Sequence, residues 1–284
     1  MESQVGAALR EDIGTGDVTS QLVPSDQRVR GTVVTREDAV LCGRPWVEAT
    51  FRQLDPRIRL SWRASDSERI ARDQILFEIE GPARPVLTGE RTALNFLQLL
   101  SGTATAARRF ADAIAGTGCS ILDTRKTVPG LRTAQKYAVR CGGGRNHRIG
   151  LYDLVLIKEN HIIAAGSLPA AVAAGRAASG GLQVQVEVEV EVEVETLQEF
   201  SAALESGADI IMLDEFSLTD MQAAVRINRS RPHPVKIEAS GSVSLENVRE
   251  IALTGVDYIS VGSITKHVRA VDLSMRLEFP GEIR

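Results

Sequence analysis

Three short segments of this chain carry the kind of charge that handles small anions. Asp123-Thr-Arg-Lys-Thr-Val-Pro-Gly130, Gly142-Gly-Gly-Arg-Asn-His-Arg148 and Lys158-Glu-Asn-His161 place arginine, lysine and histidine just past runs that read as β-strands. Forked guanidinium and compact ammonium groups pair directly with carboxylate and phosphate oxygens, so such a cluster predicts a pocket for a small, multiply anionic substrate. The chain as a whole is not basic: 33 Lys and Arg stand against 37 Asp and Glu, a formal charge of −4. A general nucleic-acid binder would show a broadly basic surface instead. The positive charge that matters is local.

Further strand ends carry matching chemistry. Glu193 or Glu195 closes one run, Asp214 the next, Ser240-Gly241-Ser242 follows a fifth and Gly262-Ser263 a sixth. Short Gly/Ser turns ahead of helices let backbone N–H groups approach a phosphate. Two carboxylates at neighbouring strand ends suit Mg²⁺, which is held partly by protein and partly by substrate phosphates. Each feature has a plainer explanation. An Asp after an apolar run is often a helix cap, and a lone Arg or Lys at a strand end is often a surface ion pair. Several cations converging with two carboxylates and two Gly turns favour a site.

Among the histidines, His147 follows three glycines and is expected to contact an anion from a loop. His161 is expected only to cap the segment after Lys158, and His233, between prolines, to lie in a surface loop. No spacing completes a zinc set. The sequence has neither a G-x-S-x-G elbow nor a Walker A loop. Cys42, Cys119 and Cys141 show no CxxC spacing, which with the absence of an apolar leader predicts a reducing, cytoplasmic setting and no membrane span.

The elements that must position these residues follow from the pattern. Strand runs at 119–123, 154–158, 184–195, 210–214, 235–239 and 258–261 alternate with helix patterns at 167–178, 197–205, 220–228 and 245–253. That alternation predicts parallel strands with crossover helices, hence an α/β barrel or a doubly wound sheet; the six strands are too few for a complete eight-stranded barrel. Residues 1–102 read separately, with strand pieces at 31–35, 58–61 and 75–80 and a helix at 89–100; the boundary is placed near Ser101-Gly102. The catalytic unit is then 103–269, with the tail 270–284 returning to the first domain. From Val186 to Glu195 the chain repeats Val-Glu five times. Period two puts every Val on one face and every Glu on the other, and ten residues at about 3.3 Å each would span about 33 Å. The strand is therefore expected to start late, leaving Glu187 and Glu189 as a solvated charge ladder. Thr196-Leu-Gln-Glu199 is a capping box that opens the next helix and puts Glu193 and Glu195 near the strand's C-terminal end.

These motifs together resemble the quinolinate phosphoribosyltransferase family. The resemblance rests on Glu11–Ser20, Glu90-Arg-Thr-Ala-Leu-Asn95, Leu100–Ala104, Asp123–Gly130, Lys136-Tyr-Ala138, Gly142–Arg148, Gly150–Asp153, Lys158–His161, Leu213-Asp214, Glu238–Gly241 and Gly255–Gly262. It implies an N-terminal α/β sandwich domain followed by an incomplete, about six-stranded α/β barrel, working as a homodimer. It implies decarboxylating transfer from phosphoribosyl pyrophosphate to quinolinate, with Mg²⁺. Arg125, His147, Arg148 and Lys158 would hold the two quinolinate carboxylates, joined by Arg91 across the dimer. Lys126, Glu193 and Asp214 would serve the ribose, pyrophosphate and metal, with the choice of Glu193 over Glu191 or Glu195 depending on spacing to Asp214, and Ser240, Gly241 and Gly262 would receive the 5′-phosphate. Glu215 stands where the family usually has Asn, and Ser242 where it usually has a second Gly. A related transferase with another acceptor (the molybdenum-utilisation homologue) and a catalytically silent relative are the alternatives. The intact Arg125-Lys126 and Asn146-His147-Arg148 sets favour the dicarboxylate.

Overall fold

The computed structural model describes residues 1–179 and 189–279. In chain order the elements begin with α1 (Glu2–Ile13), β1 (Arg28–Thr35), β2 (Ala39–Val40), α2 (Arg44–Leu54), β3 (Arg59–Trp62), β4 (Arg69–Ile70), β5 (Ile75–Pro82) and α3 (Ala83–Ala113). There follow β6 (Ser120–Leu122), α4 (Arg132–Cys141), β7 (Val155–Ile157), α5 (Glu159–Ala165), α6 (Leu168–Ser179), β8 (Val190–Val194) and α7 (Leu197–Glu205). The chain continues through β9 (Ile210–Asp214), α8 (Leu218–Arg229), β10 (Lys236–Ser240), α9 (Val248–Leu253), β11 (Tyr258–Ser260), α10 (Ser263–Lys266) and β12 (Leu273–Glu278). Two compact units result: one takes Met1–Arg108, Thr127–Gly143 and the chain from Ile264, the other Arg109–Lys126 with Gly144–Ser263. No helix among the described residues is long and apolar enough to cross a membrane.

The first unit is built on an antiparallel sheet in the order β12-β1-β5-β3. Alternation along β1 turns Val29 and Val33 inward. There they meet Leu76, Phe77 and Ile79 of β5, Val47 and Phe51 of α2, and Leu94 and Leu97 of α3. Each such side chain contributes roughly 1.5–3 kcal/mol by leaving water. β12 pairs antiparallel with β1 from Thr35↔Leu273 to Arg30↔Glu278, so a strand from beyond the second unit completes this sheet.

The expected helix over 89–100 is 31 residues long, Ala83–Ala113, and the expected boundary at Ser101-Gly102 falls inside it. The Ser-Gly pair reads as a stop in sequence but serves packing. A Cβ on Gly102 would run into the Arg269 carbonyl, so glycine lets helix and neighbouring backbone touch. Ser101 Oγ accepts the Cys42 N–H at 3.0 Å and donates to the Cys42 carbonyl at 3.1 Å. Thr105 Oγ1 accepts the Val40 N–H at 2.9 Å.

The second unit is a parallel sheet in the order β6-β11-β10-β9-β8-β7, six strands as the alternation predicted. It closes where β11 pairs with β6 and is open between β6 and β7, where Arg145 bridges to Leu122. Val190, Val192 and Val194 are buried outward-facing positions of β8, and the intervening Glu191 and Glu193 take the other face. Residues 184–188 of the expected strand, Glu187 included, lie outside the described residues. Glu189 is exposed, as a charge ladder would be. Thr196 Oγ1 accepts the Glu199 N–H at 3.2 Å, while the Glu199 carboxylate accepts from Glu195 N–H at 2.8 Å, one residue ahead of the cap. The helix α9 starts at Val248 and not at 245, because Asn247 folds the preceding turn. Its Oδ1 accepts from Ser244 N–H at 2.8 Å, and its Nδ2 donates to the Ser242 carbonyl at 3.0 Å.

Candidate active site

Active sites of parallel α/β sheets gather at strand C-termini, because the loops there are free to diverge while the strands fix their roots. At the end of β6, buried Asp123 acts as a clamp. Its two oxygens accept from Asn146 Nδ2 at 2.6 Å and from the His147 N–H at 2.9 Å. Arg145 N–H donates to Ile121 O at 2.8 Å, so the Asn-His-Arg segment is pinned along the edge of β6. Thr124 Oγ1 accepts the Lys126 N–H at 3.1 Å, which shapes the turn presenting Arg125 and Lys126.

These residues open onto one cavity of about 350 Å³. It brings together Arg125, Lys126, His147, Arg148, Lys158, Glu193 and Ser240 from the sequence-predicted set, over Leu156 and Met212. A cavity of equal volume in the first unit lies among Arg30, Glu78, Glu80 and Arg276, where opposite charges offset one another, as in the 3.4 Å Arg30–Glu80 pair. The second-unit cavity is lined by four cationic side chains, Arg125, Lys126, Arg148 and Lys158, against two carboxylates, Glu193 and Glu238. Burial, and then the Arg125 charge beside it, lower the Arg148 pKa from the ordinary arginine value. Two guanidiniums repelling each other across partly desolvated space attract a dianion.

Lys158 ends β7 and caps α5. Its ammonium pairs with the Glu193 carboxylate, and its N–H donates to His161 Nδ1 at 3.0 Å, so His161 has the capping role expected of it. Asp214 ends β9, half-buried, level with Ser240 of β10. Gly262 faces Lys126: a Cβ there would lie 3.0 Å from Lys126 Cδ and 3.7 Å from its Nζ. Asp214, Gly241 and Gly262 stand at the same strand ends but do not line the cavity. Arg91 lies exposed on α3 in the first unit.

His147 faces a direction the sequence did not suggest. Its Nδ1 accepts the Arg148 N–H at 2.6 Å, which leaves the ring proton on Nε2. That nitrogen lies 3.0 Å from Glu191 Oε2 and 3.7 Å from Glu238 Oε2. The ring thus meets two carboxylates from β8 and β10, both fully buried, while His147 also lines the cavity. Burial, and then the adjacent Glu191 charge, push the Glu238 carboxyl well above the ordinary carboxylate value. The sequence leaves Glu191 open only as an alternative to Glu193 and does not mark Glu238 as a site residue. Glu191 is hidden in the Val-Glu repeat, and Glu238, in the strand run Val235-Lys-Ile-Glu-Ala239, alternates with apolar residues as an ordinary solvent-facing charge would.

Comparison with known proteins adds lineage to this geometry. Residues 17–101 match the family model "Quinolinate phosphoribosyl transferase, N-terminal domain" and residues 103–276 match "Quinolinate phosphoribosyl transferase, C-terminal domain". A nicotinate-nucleotide pyrophosphorylase [carboxylating] of Mycobacterium leprae is 43% identical, over 95% of this chain and 94% of its own. A probable nicotinate-nucleotide pyrophosphorylase [carboxylating] of Bacillus subtilis is 39% identical, over 96% and 91%. A solved structure of the nicotinate-nucleotide pyrophosphorylase from Francisella tularensis superposes with a TM-score of 0.90 at 46% identity, covering 96% of this chain and 94% of that one.

Proposed function

This chain belongs to the quinolinate phosphoribosyltransferase family, and from that premise we propose that its cavity joins quinolinate to phosphoribosyl pyrophosphate, releasing pyrophosphate and CO₂ and leaving nicotinate mononucleotide. The carrying observation is the unbalanced set of Arg125, Lys126, Arg148 and Lys158 at one end of a parallel sheet. Four cations around about 350 Å³ suit a planar dicarboxylate and a pyrophosphate better than any neutral ligand.

Arg125, Arg148 and Lys158, with His147 on the wall of the same cavity, hold the two pyridine carboxylates, and Arg91 of the partner subunit completes the set in a homodimer. Fixing both carboxylates fixes the ring plane and aims its nitrogen at ribose C1, a positional gain worth several kcal/mol of barrier. As the nitrogen forms its bond to C1, the C1–oxygen bond to pyrophosphate breaks and Lys126 stabilises the departing charge. Glu193 and Asp214 face the cationic sugar. Ser240, Gly241 and Gly262 receive the 5′-phosphate. Quaternising the ring nitrogen makes the ring an electron sink for the adjacent 2-carboxylate. The C2–carboxylate bond then breaks, its electron pair stays on C2, and a proton replaces CO₂ there.

Mg²⁺ fits the donors present. Glu193 is one-sixth exposed and already accepts the cationic Lys158, while Asp214 ends the adjoining strand half-buried. Two carboxylates leave room for water and phosphate oxygens, as this ion prefers. When bound, it supplies positive charge to the leaving pyrophosphate. Incubating the protein with quinolinate, phosphoribosyl pyrophosphate and Mg²⁺ tests the proposal. Nicotinate mononucleotide and CO₂ should form together and stop on chelation. Ribosylation of nicotinate with quinolinate untouched would overturn the dicarboxylate pocket.

A further inference from the structure

Glu215 and Ser242, the two departures from the family's usual motif, touch each other. Ser242 Oγ donates to Glu215 Oε1 at 2.9 Å, and Glu215 N–H donates to the Ser240 carbonyl at 3.0 Å. Both hold left-handed backbone, φ 52° and 46°, two of only four such non-glycine residues among those described. Side-chain-bearing residues adopt that conformation at a cost, and such strain concentrates at switching and binding sites.

Gly241 lies between them with φ 94°. A Cβ built on it would fall on the Glu215 carboxyl group, with Oε1 2.7 Å away. The carboxylate thus occupies the open face that a glycine leaves for an approaching ligand. On the neighbouring turn the open face of Gly262 is occupied by Lys126. One glycine face holds an ammonium, which attracts phosphate; the other holds a carboxylate, which repels it.

We propose that Glu215 is an internal anion seated on the phosphate-receiving turn, displaced when the 5′-phosphate of the ribosyl donor binds, so that it lowers this chain's affinity for that end of the substrate. The inference rests on the phosphate assignment of Gly241 made above. A carboxylate and a phosphate cannot share one glycine face. Ligand and side chain therefore compete for a single place.

Ribose 5-phosphate carries the phosphate but has no leaving group, so its binding is read without turnover. Calorimetric titration should show Glu215→Gln and Glu215→Asn binding it about five- to tenfold more tightly than the parent, from removal of one nearby like charge. Quinolinate affinity should be unchanged. Ser242→Gly, which removes the tether and suits the backbone at 242, should shift the ribose 5-phosphate affinity in the same direction by less, and it decides the matter if the Glu215 variants are unfolded. Equal or weaker ribose 5-phosphate binding in the folded variants overturns the inference. Tighter ribose 5-phosphate binding with quinolinate bound by no form would uphold it and overturn the substrate assignment instead.

Discussion

Arg125 is the residue at which function and stability separate most cleanly. It is exposed and lowers the pKa of the neighbouring Arg148, so its presence costs the fold a little and serves only a ligand. Arg125→Ala should lower kcat/KM for quinolinate by about 100-fold or more, the scale of a lost charge-assisted pair, while the melting temperature stays the same or rises slightly. Turnover at the parent level would remove Arg125 from the site. Glu238 is the opposite case. Its raised pKa means that the folded chain keeps a proton the unfolded chain has lost. Stability is intact below the ordinary carboxylate range and drains away as pH rises toward the raised value. Glu238→Gln keeps the shape without that liability. Its melting temperature relative to the parent should therefore increase as pH rises above the ordinary carboxylate range, by about 2–4 °C for each kcal/mol relieved. A gap that stays flat with pH would show that Glu238 is ionised in the fold. The cations were legible in sequence because charge at a strand's C-terminal end has few structural uses. Glu191 and Glu238 were less so, because period-two alternation assigns a face without revealing that the inner face of this sheet is sealed.

At the scale of elements, strands were read more easily than helix ends. The ranges of β9 and α7 were fully visible, since apolar runs and a Thr-x-x-Glu cap mark them locally. α3 was not, because Gly102 inside it answers to a contact with Arg269 far along the chain. Gly102→Ala sets two known effects against each other. Helix propensity favours alanine by about 1 kcal/mol, and the clash with the Arg269 backbone costs about 1–3 kcal/mol. The clash should win, and thermal melting should fall by several degrees; a stabilised variant would mean the 269–271 segment yields easily. The segment is held by the backbone bond from Val271 N–H to Gln98 O at 3.1 Å, by the Arg269–Glu37 ion pair at 2.5 Å and by the buried Val271 side chain, so the outcome measures how firmly it sits.

At the scale of the whole molecule, shared sites can be tested by mixing. Arg91 is exposed on the first unit, and Arg125 lines the cavity of the second. If each site takes Arg91 from the partner subunit, Arg91→Ala and Arg125→Ala homodimers are both inactive. Random exchange of their subunits should then restore about a quarter of parental activity, since half the dimers carry one intact site of two. No recovery after verified exchange would confine the site to one subunit. The six-stranded count and the parallel order were legible from the alternation of strands and helices. The long-range closure of the first sheet by residues 273–278 was visible only as a tail outside the repeat.

That closure sets a schedule for synthesis. The ribosome delivers β1, β5 and β3 early, but β12, which covers the other edge of β1, is made only after every strand of the parallel sheet. At about 5–20 residues per second, the nascent chain carries an uncovered β1 edge for roughly ten seconds or more. The parallel sheet has all its strands by Ser260 and can mature during that interval. Nascent chains stalled with residue 265 clear of the tunnel should resist protease over β7–β11 yet be cut within β1. Release of the full chain should abolish the β1 cut. Protection of β1 before β12 emerges would mean the edge is guarded by something else, such as a holding chaperone.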